Sequence, residues 1–177
     1  MIWVMTMDKE KDFPKRKPTR LKEFDYNTTG AYFITLCTEN RRQILSCIVG
    51  GDVLGAPKNV ELFPHGMIAD KYLKQMNEFY ENLTVDQYVI MPNHIHLILF
   101  VREDGSPRTS TPTKQTSSVS HFVSTFKRFC NKEFGGNIWQ RGFHDHIIRS
   151  RDDYEEIAKY IHDNPTRWYY DELYSEQ

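Results

Sequence analysis

Cysteine is scarce in this 177-residue chain: Cys37, Cys47 and Cys130 are widely scattered and form no CxxC pair. An odd, dispersed set of thiols argues against a disulfide framework or a cysteine-rich zinc site, and fits a reducing compartment. Long apolar runs are also absent, so no membrane span and no membrane partner are expected. The opening Met1 to Glu10 has no basic segment ahead of its apolar residues and no long apolar stretch, so no signal peptide is expected and the cytoplasm is the expected location. Charge of one sign is lacking too. Twenty-three Lys and Arg against 24 Asp and Glu leave a net charge of −1, which argues against non-specific coating of nucleic acid.

What is present is ordinary in amount and uneven in placement. The 39% apolar and 27% charged content suits one soluble domain with a proper core. Basic residues gather early, in Lys15-Arg16-Lys17, Arg20, Lys22 and Arg41-Arg42, and acids gather late, from Asp152 to Glu176. We divide the chain into an extended basic arm (1–23), a single domain (24–168) and an acidic tail (169–177). The arm is read as extended because it is polar and carries Pro14 and Pro18.

Within the domain, Ala31 to Thr38 is rich in aromatic and β-branched residues and reads as a strand. Glycine-rich segments around Gly50-Gly51 and Gly55 suggest a peripheral hairpin built from 43–49 and 60–63. Helical spacing of apolar residues runs from His65 to Leu83. Strands follow at 84–91 and 94–101, joined at Pro92-Asn93, and then a polar, low-complexity loop extends to Ser118. Helical spacing returns from Val119 to Phe134 and stops at Gly135-Gly136. An irregular strand is expected over 138–148, interrupted at Gly142. A last helix is expected over 152–164, with acids at its positive end and Pro165 as its stop. The order β-α-β-β-α-β plus one helix predicts an α+β, ferredoxin-like split β-α-β antiparallel sheet, with the first and third strands central.

The chemistry-bearing stretch is Met91-Pro92-Asn93-His94-Ile95-His96. Alternate strand residues face opposite ways, so His94 and His96 project together and Ile95 and Leu97 project away from them. Two imidazoles on one face can grip one metal ion, whereas burying them unpartnered would cost several kcal/mol. A bare HxH is a weak signal, and His144-Asp145-His146 is a second instance in more polar surroundings. On the last helix Tyr154, Ile157, Ala158 and Ile161 share an apolar stripe. Tyr160 and Asn164, four residues apart, address one point from an adjacent face. They offer a nucleophile and a further metal ligand. Taken singly, Tyr160 also suits a helix–sheet margin and Asn164 a helix cap.

Three blocks carry a resemblance across roughly Arg20 to Trp168: Gly30-Ala31-Tyr32-Phe33, the His94-Ile95-His96 core with Trp139 to Arg149, and Tyr160-Ile161-His162-Asp163-Asn164-Pro165. Together they resemble the HUH single-tyrosine transposases, and within them the REP-associated tyrosine transposases, where asparagine stands for the more usual glutamine. The resemblance implies that His94, His96 and Asn164 hold Mg²⁺ or Mn²⁺. It implies that Tyr160 cleaves and rejoins single-stranded or hairpin DNA through a 5′-phosphotyrosine link, in a bacterial, nucleoid-associated setting. Homodimer and monomer both stay open. From charge and position alone, Arg41, Arg42, Lys127, Arg128 and Arg149 are expected to contact phosphates. Two other readings remain: a non-catalytic nucleic-acid-binding sheet stacking bases on Tyr32 and Phe33, and a zinc site drawn from both HxH pairs.

Overall fold

The computed structural model describes residues 29–50, 58–102 and 117–175. The basic arm and the residues up to 28, the glycine-rich segment 51–57, the polar segment 103–116 and the last two residues lie outside the described residues. The elements are β1 (Gly30–Cys37), β2 (Ser46–Val49), β3 (Asn59–Leu62), α1 (Pro64–Phe79), β4 (Leu83–Ile90), β5 (His94–Val101), α2 (Ser118–Phe134), β6 (His144–Ile148) and α3 (Arg151–Asp163).

Alternation along β1 and β5 sets the layers. Tyr32, Ile34 and Leu36 of β1 and Ile95, Leu97 and Leu99 of β5 point to one side, where they pack with Leu73 and Met76 of α1 and Phe122 and Phe126 of α2. The main sheet has the order β4-β5-β1-β6 and is antiparallel throughout, while β2 and β3 form a separate two-stranded ribbon. This is the expected ferredoxin-like arrangement with the first and third long strands central. β5 reads as one apolar run because seven of its eight residues are buried, with helices on both faces of the sheet.

α3 covers the face opposite α1 and α2, and its docking is specified by a bulge. Between Val85 and Gln87 the β4–β5 register slips, so the adjacent Asp86 and Gln87 can both reach one side chain of α3. The Tyr154 hydroxyl donates to Asp86 Oδ2 at 2.6 Å and accepts from Gln87 Nε2 at 3.2 Å. The Tyr154 ring lies 6.1 Å from that of Phe100, and Ile161 is buried further along the helix. Ser150 opens α3 by accepting from the Asp153 amide.

Two elements are shorter than their sequence pattern. α1 stops at Phe79 instead of reaching Leu83, because Tyr80 turns extended and Leu83 is needed opposite Val101 in β4. The Asn77 amide completes this exit by pairing with both the N–H and the carbonyl of Val85. β6 covers only 144–148, since upstream only Trp139 bridges back, to Thr38.

α1 approaches the body of the protein at Gly66 so closely that any Cβ there would lie 2.0 Å from the Leu45 carbonyl oxygen. That carbonyl cannot retreat: it accepts from the Phe63 amide, and the Leu45 amide donates to Pro92. Gly66→Ala should therefore cost about 3 kcal/mol, read as a lower urea midpoint. An unchanged midpoint would show that the helix is free to shift.

Candidate active site

Strand pairing builds the first half of the site. His96 stands opposite Thr35 and His94 opposite Cys37 across the β1–β5 ladder, on the face covered by α3. The buried Thr35 hydroxyl lies 2.8 Å from His96 Nδ1, and the Phe33 ring stacks on His96 at 5.1 Å. His94 Nδ1 lies 2.8 Å from Asn93 Oδ1. The Asn93 amide nitrogen already donates to the Leu173 carbonyl at 2.8 Å. Its oxygen therefore faces His94, so Nδ1 of that ring must be the donor and Nε2 carries a bare lone pair. His94 Nε2 is buried and has no partner.

α3 and the turn after it build the second half. The Tyr160 hydroxyl lies 3.3 Å from His96 Nε2 and donates to Asp171 Oδ2 at 3.2 Å. The Asn164 amide nitrogen donates to the same carboxylate oxygen at 2.9 Å. That bond turns Asn164 Oδ1 the other way, where it too is buried and unpartnered. Asp171 is itself fixed by the Leu173 amide, which donates to Oδ1 at 2.6 Å. Ligand atoms of His94, His96 and Asp171 all lie within 4.8 Å of one another. Tyr160, Asn164, His96, Thr35 and Asp171 share an open cleft of about 910 Å³ with Phe33, Arg41, His144, Arg167 and Tyr170.

Asp171 is the member that sequence reasoning missed. It was placed in an acidic tail, yet the chain reverses after Pro165 and a short 3-10 turn, Trp168–Tyr170, returns it to the cleft. Trp168 is buried, its ring 5.9 Å from that of His94. The available signal was Trp168, a large apolar residue just ahead of the acidic stretch, whose ring is buried while Tyr169 and Tyr170 stay exposed.

The expected phosphate contacts are dispersed. Arg41 lines the cleft. Arg42 is exposed beside it, its Nε donating to the Glu39 carbonyl. Lys127 does not join the cluster: its ammonium donates to the Gln140 and Gly142 carbonyls at 2.7 and 2.6 Å, tying α2 to the segment before β6. Arg128 lies over the Phe129 ring on α2, on the face of the sheet opposite α3. Arg149 is exposed at the end of β6, where its amide donates to Asp153. The second HxH pair is separated from the first by β1, since His144 and His146 pair with Thr35 and Phe33. His146 is engaged by Asp153 at 3.1 Å. Among the described residues no four-histidine cluster forms, which removes the geometric basis for the zinc reading.

Burial sets the protonation states. It holds the His94 imidazole well below the ordinary histidine value, with the His96 and Arg41 charges adding to the effect. Burial likewise brings His96 down to about 4, against an opposing pull from Asp171. Both rings are neutral at neutral pH, and the free lone pair of His94 Nε2 is open to a cation. Burial, and then the Asp171 carboxylate, push the Tyr160 phenol up to about 12.

A pH dependence follows for the chelator-treated protein. Unfolded histidines take up protons below ~6.5, whereas His96 resists until about 4 and His94 titrates well below its ordinary value. The unfolded state thus binds more protons in that window, and stability falls as pH drops through it, by about 1.4 kcal/mol per pH unit for each imidazole. NMR titration should show two histidines silent near pH ~6.5, both altered by His96→Gln. Seven histidines all titrating normally would overturn the burial argument.

Among the described residues no helix is long and apolar enough to cross a membrane. A protein of Haemophilus influenzae, itself uncharacterized, is 30% identical over 174 residues, which cover 90% of this chain and 93% of that one. The fold is shared with the REP-associated tyrosine transposase solved bound to a REP hairpin, at a TM-score of 0.59 and 19% identity. That match covers 86% of this chain and 74% of the other. The family model described as "Transposase IS200 like" matches residues 27–164. With β1, the histidine strand and α3 through Asn164 all inside that match, this chain belongs to the IS200-like transposase family, a family of DNA-processing enzymes.

Proposed function

We propose that this protein is a divalent-metal-dependent transposase that cuts and rejoins single-stranded DNA through a covalent link to Tyr160. The observation that carries the reading is the pairing of two buried, unpartnered acceptors, His94 Nε2 and Asn164 Oδ1, with a phenol 3.3 Å from His96 Nε2. An acceptor buried without a donor costs about 1–3 kcal/mol, and a cation removes that cost for both atoms at once. His94, His96 and Asn164 would hold the ion, and the Asp171 carboxylate adds the hard oxygen that Mg²⁺ and Mn²⁺ favour over an all-nitrogen site. Such an ion supplies Lewis-acid polarisation of a phosphate's non-bridging oxygens.

The remaining steps belong to the chain. The Tyr160 oxygen attacks phosphorus, and its proton passes to the Asp171 carboxylate that already accepts it. The P–O3′ bond breaks, and the 3′ oxygen leaves as a hydroxyl after taking up a proton. The phosphodiester energy is conserved in the 5′-phosphotyrosine link, so rejoining reverses the same steps. The Tyr160 hydroxyl 3.3 Å from His96 Nε2 of the same chain supports cleavage in cis. Hairpin DNA is the proposed partner, by analogy with the structural neighbour that was solved on a REP hairpin and from the Asn164-Pro165 pair typical of that branch.

Tyr160→Phe should abolish the covalent adduct with a single-stranded hairpin in Mn²⁺ while hairpin affinity stays within about twofold. Gel retention of labelled DNA after denaturation reads the adduct. Adduct formation that survives the substitution would sink the assignment of the nucleophile, and Tyr154 would be the next residue to test. Binding without cleavage by the wild type under any divalent ion would favour the non-catalytic reading.

A further inference from the structure

Three unpartnered buried polar atoms belong to residues of this cluster, and a metal ion satisfies only two of them. His94 Nε2 and Asn164 Oδ1 are acceptors; Arg41 Nη1 is a buried donor with nothing to receive its hydrogen bond. A cation cannot serve a guanidinium, which repels it. A cation and an anion bound side by side serve all three atoms, the cation meeting the two acceptors and an anion oxygen receiving from Arg41.

Arg41 is also held where an arginine would not settle unaided. Asn40 and Arg41 both have φ of 55°, the left-handed region. Asparagine enters that region readily, whereas a residue such as arginine pays of order 1 kcal/mol or more there. The surrounding contacts keep it in place. The Glu39 amide donates to Ile138 at 2.7 Å, the Thr38 amide to Asn93 at 2.9 Å, and the Arg41 amide to Thr38 at 3.2 Å. The Thr38 hydroxyl donates to the Arg42 carbonyl at 2.8 Å, and the Ser175 hydroxyl to that of Arg41 at 3.2 Å. Strained backbone of this kind persists where the conformation is used. Its effect is to send the Arg41 side chain into the cleft that holds His96, Tyr160 and Asn164, with Nη1 shielded from water.

We infer that Arg41 is a catalytic residue that grips a non-bridging oxygen of the phosphate attacked by Tyr160, unlike the exposed Arg42, Arg128 and Arg149, none of which lines the cleft. The inference rests on the proposed cleavage reaction and deepens it. Charge accumulates on those oxygens as the Tyr160 oxygen adds and the P–O3′ bond lengthens. A permanently charged planar fork, aimed beforehand and away from water, stabilises that charge more than it stabilises the ground state.

The test uses Arg41→Gly, since glycine accepts a positive φ without strain and the fold should hold, and Arg41→Lys, which keeps the charge without the fork. In Mn²⁺, single-turnover adduct formation with a hairpin should slow by about 100-fold in Arg41→Gly, and by less in Arg41→Lys, with melting temperatures close to wild type. The second measurement is binding in excess EDTA, in the non-cleaving Tyr160→Phe background. A neutral methylphosphonate replaces the phosphate mapped from the wild-type adduct. Affinity should drop about tenfold when Arg41 is present and less than about twofold when it is glycine, because the two losses remove one contact. Wild-type rates in Arg41→Gly, or an unchanged methylphosphonate penalty in its absence, would overturn the inference while leaving the cleavage reading intact. No adduct in the wild type itself would sink both.

Discussion

Two imidazoles buried on a central strand are the constraint around which the rest is arranged. A histidine sealed between a sheet and a helix must stay neutral and must find a partner for its N–H. The neighbouring Asn93 provides that for His94, and the Thr35 hydroxyl across the ladder pairs with Nδ1 of His96. Asn93 can do so only because its nitrogen is occupied by the Leu173 carbonyl. The polarity of one ring is thus set by a chain segment almost eighty residues away. Breaking the return of that segment would free the Asn93 amide to turn over, and the lone pair at His94 Nε2 would no longer be assured.

The same segment joins the two halves of the site. Asp171 accepts from both Tyr160 and Asn164 through one carboxylate oxygen. It orients the asparagine so that its carbonyl points inward, and it adds to burial, the larger cause, in pushing the phenol pKa up to about 12. At neutral pH a phenol of that pKa is ionised in only about one molecule in 10⁵. In the proposed reaction the phenol is therefore positioned before it is reactive, and a cation beside His96 would offset the burial and the nearby carboxylate. Preorganisation and restraint come from the same contact.

How much of this was legible in the sequence depends on whether the signal is periodic. The period-two run through His94 and His96 gave the face of the histidines. The 3.6 period gave three helices, and the chain order gave the antiparallel sheet with β1 and β5 at its centre. Periodicity misled at Leu83, which is apolar enough to continue α1 but serves in β4 opposite Val101. It had nothing to say about Asp171, whose role depends on a reversal after Pro165 that leaves no repeating pattern. It also could not tell a committed cation from a free one. Lys127 neighbours Phe126 on α2, and only the positions of the Gln140 and Gly142 carbonyls show that its ammonium is spent within the fold.

The docking of α3 is where local and distant requirements meet. A regular β4 would send Asp86 and Gln87 to opposite faces, and the Tyr154 hydroxyl could engage only one of them. The bulge allows both, one accepting and one donating, so that the hydroxyl is satisfied in each role and the helix has one azimuth about its axis. Tyr160 and Asn164 lie six and ten residues further along. A rotation by one residue, ~100°, would swing both away from His96. A single irregularity in an edge strand, remote from the cleft, therefore decides whether Tyr160 and the histidines meet. This dependence explains why the apolar stripe of Tyr154, Ile157, Ala158 and Ile161 is not enough by itself: hydrophobic burial alone tolerates sliding and rotation, and the hydrogen-bonded Tyr154 removes both freedoms.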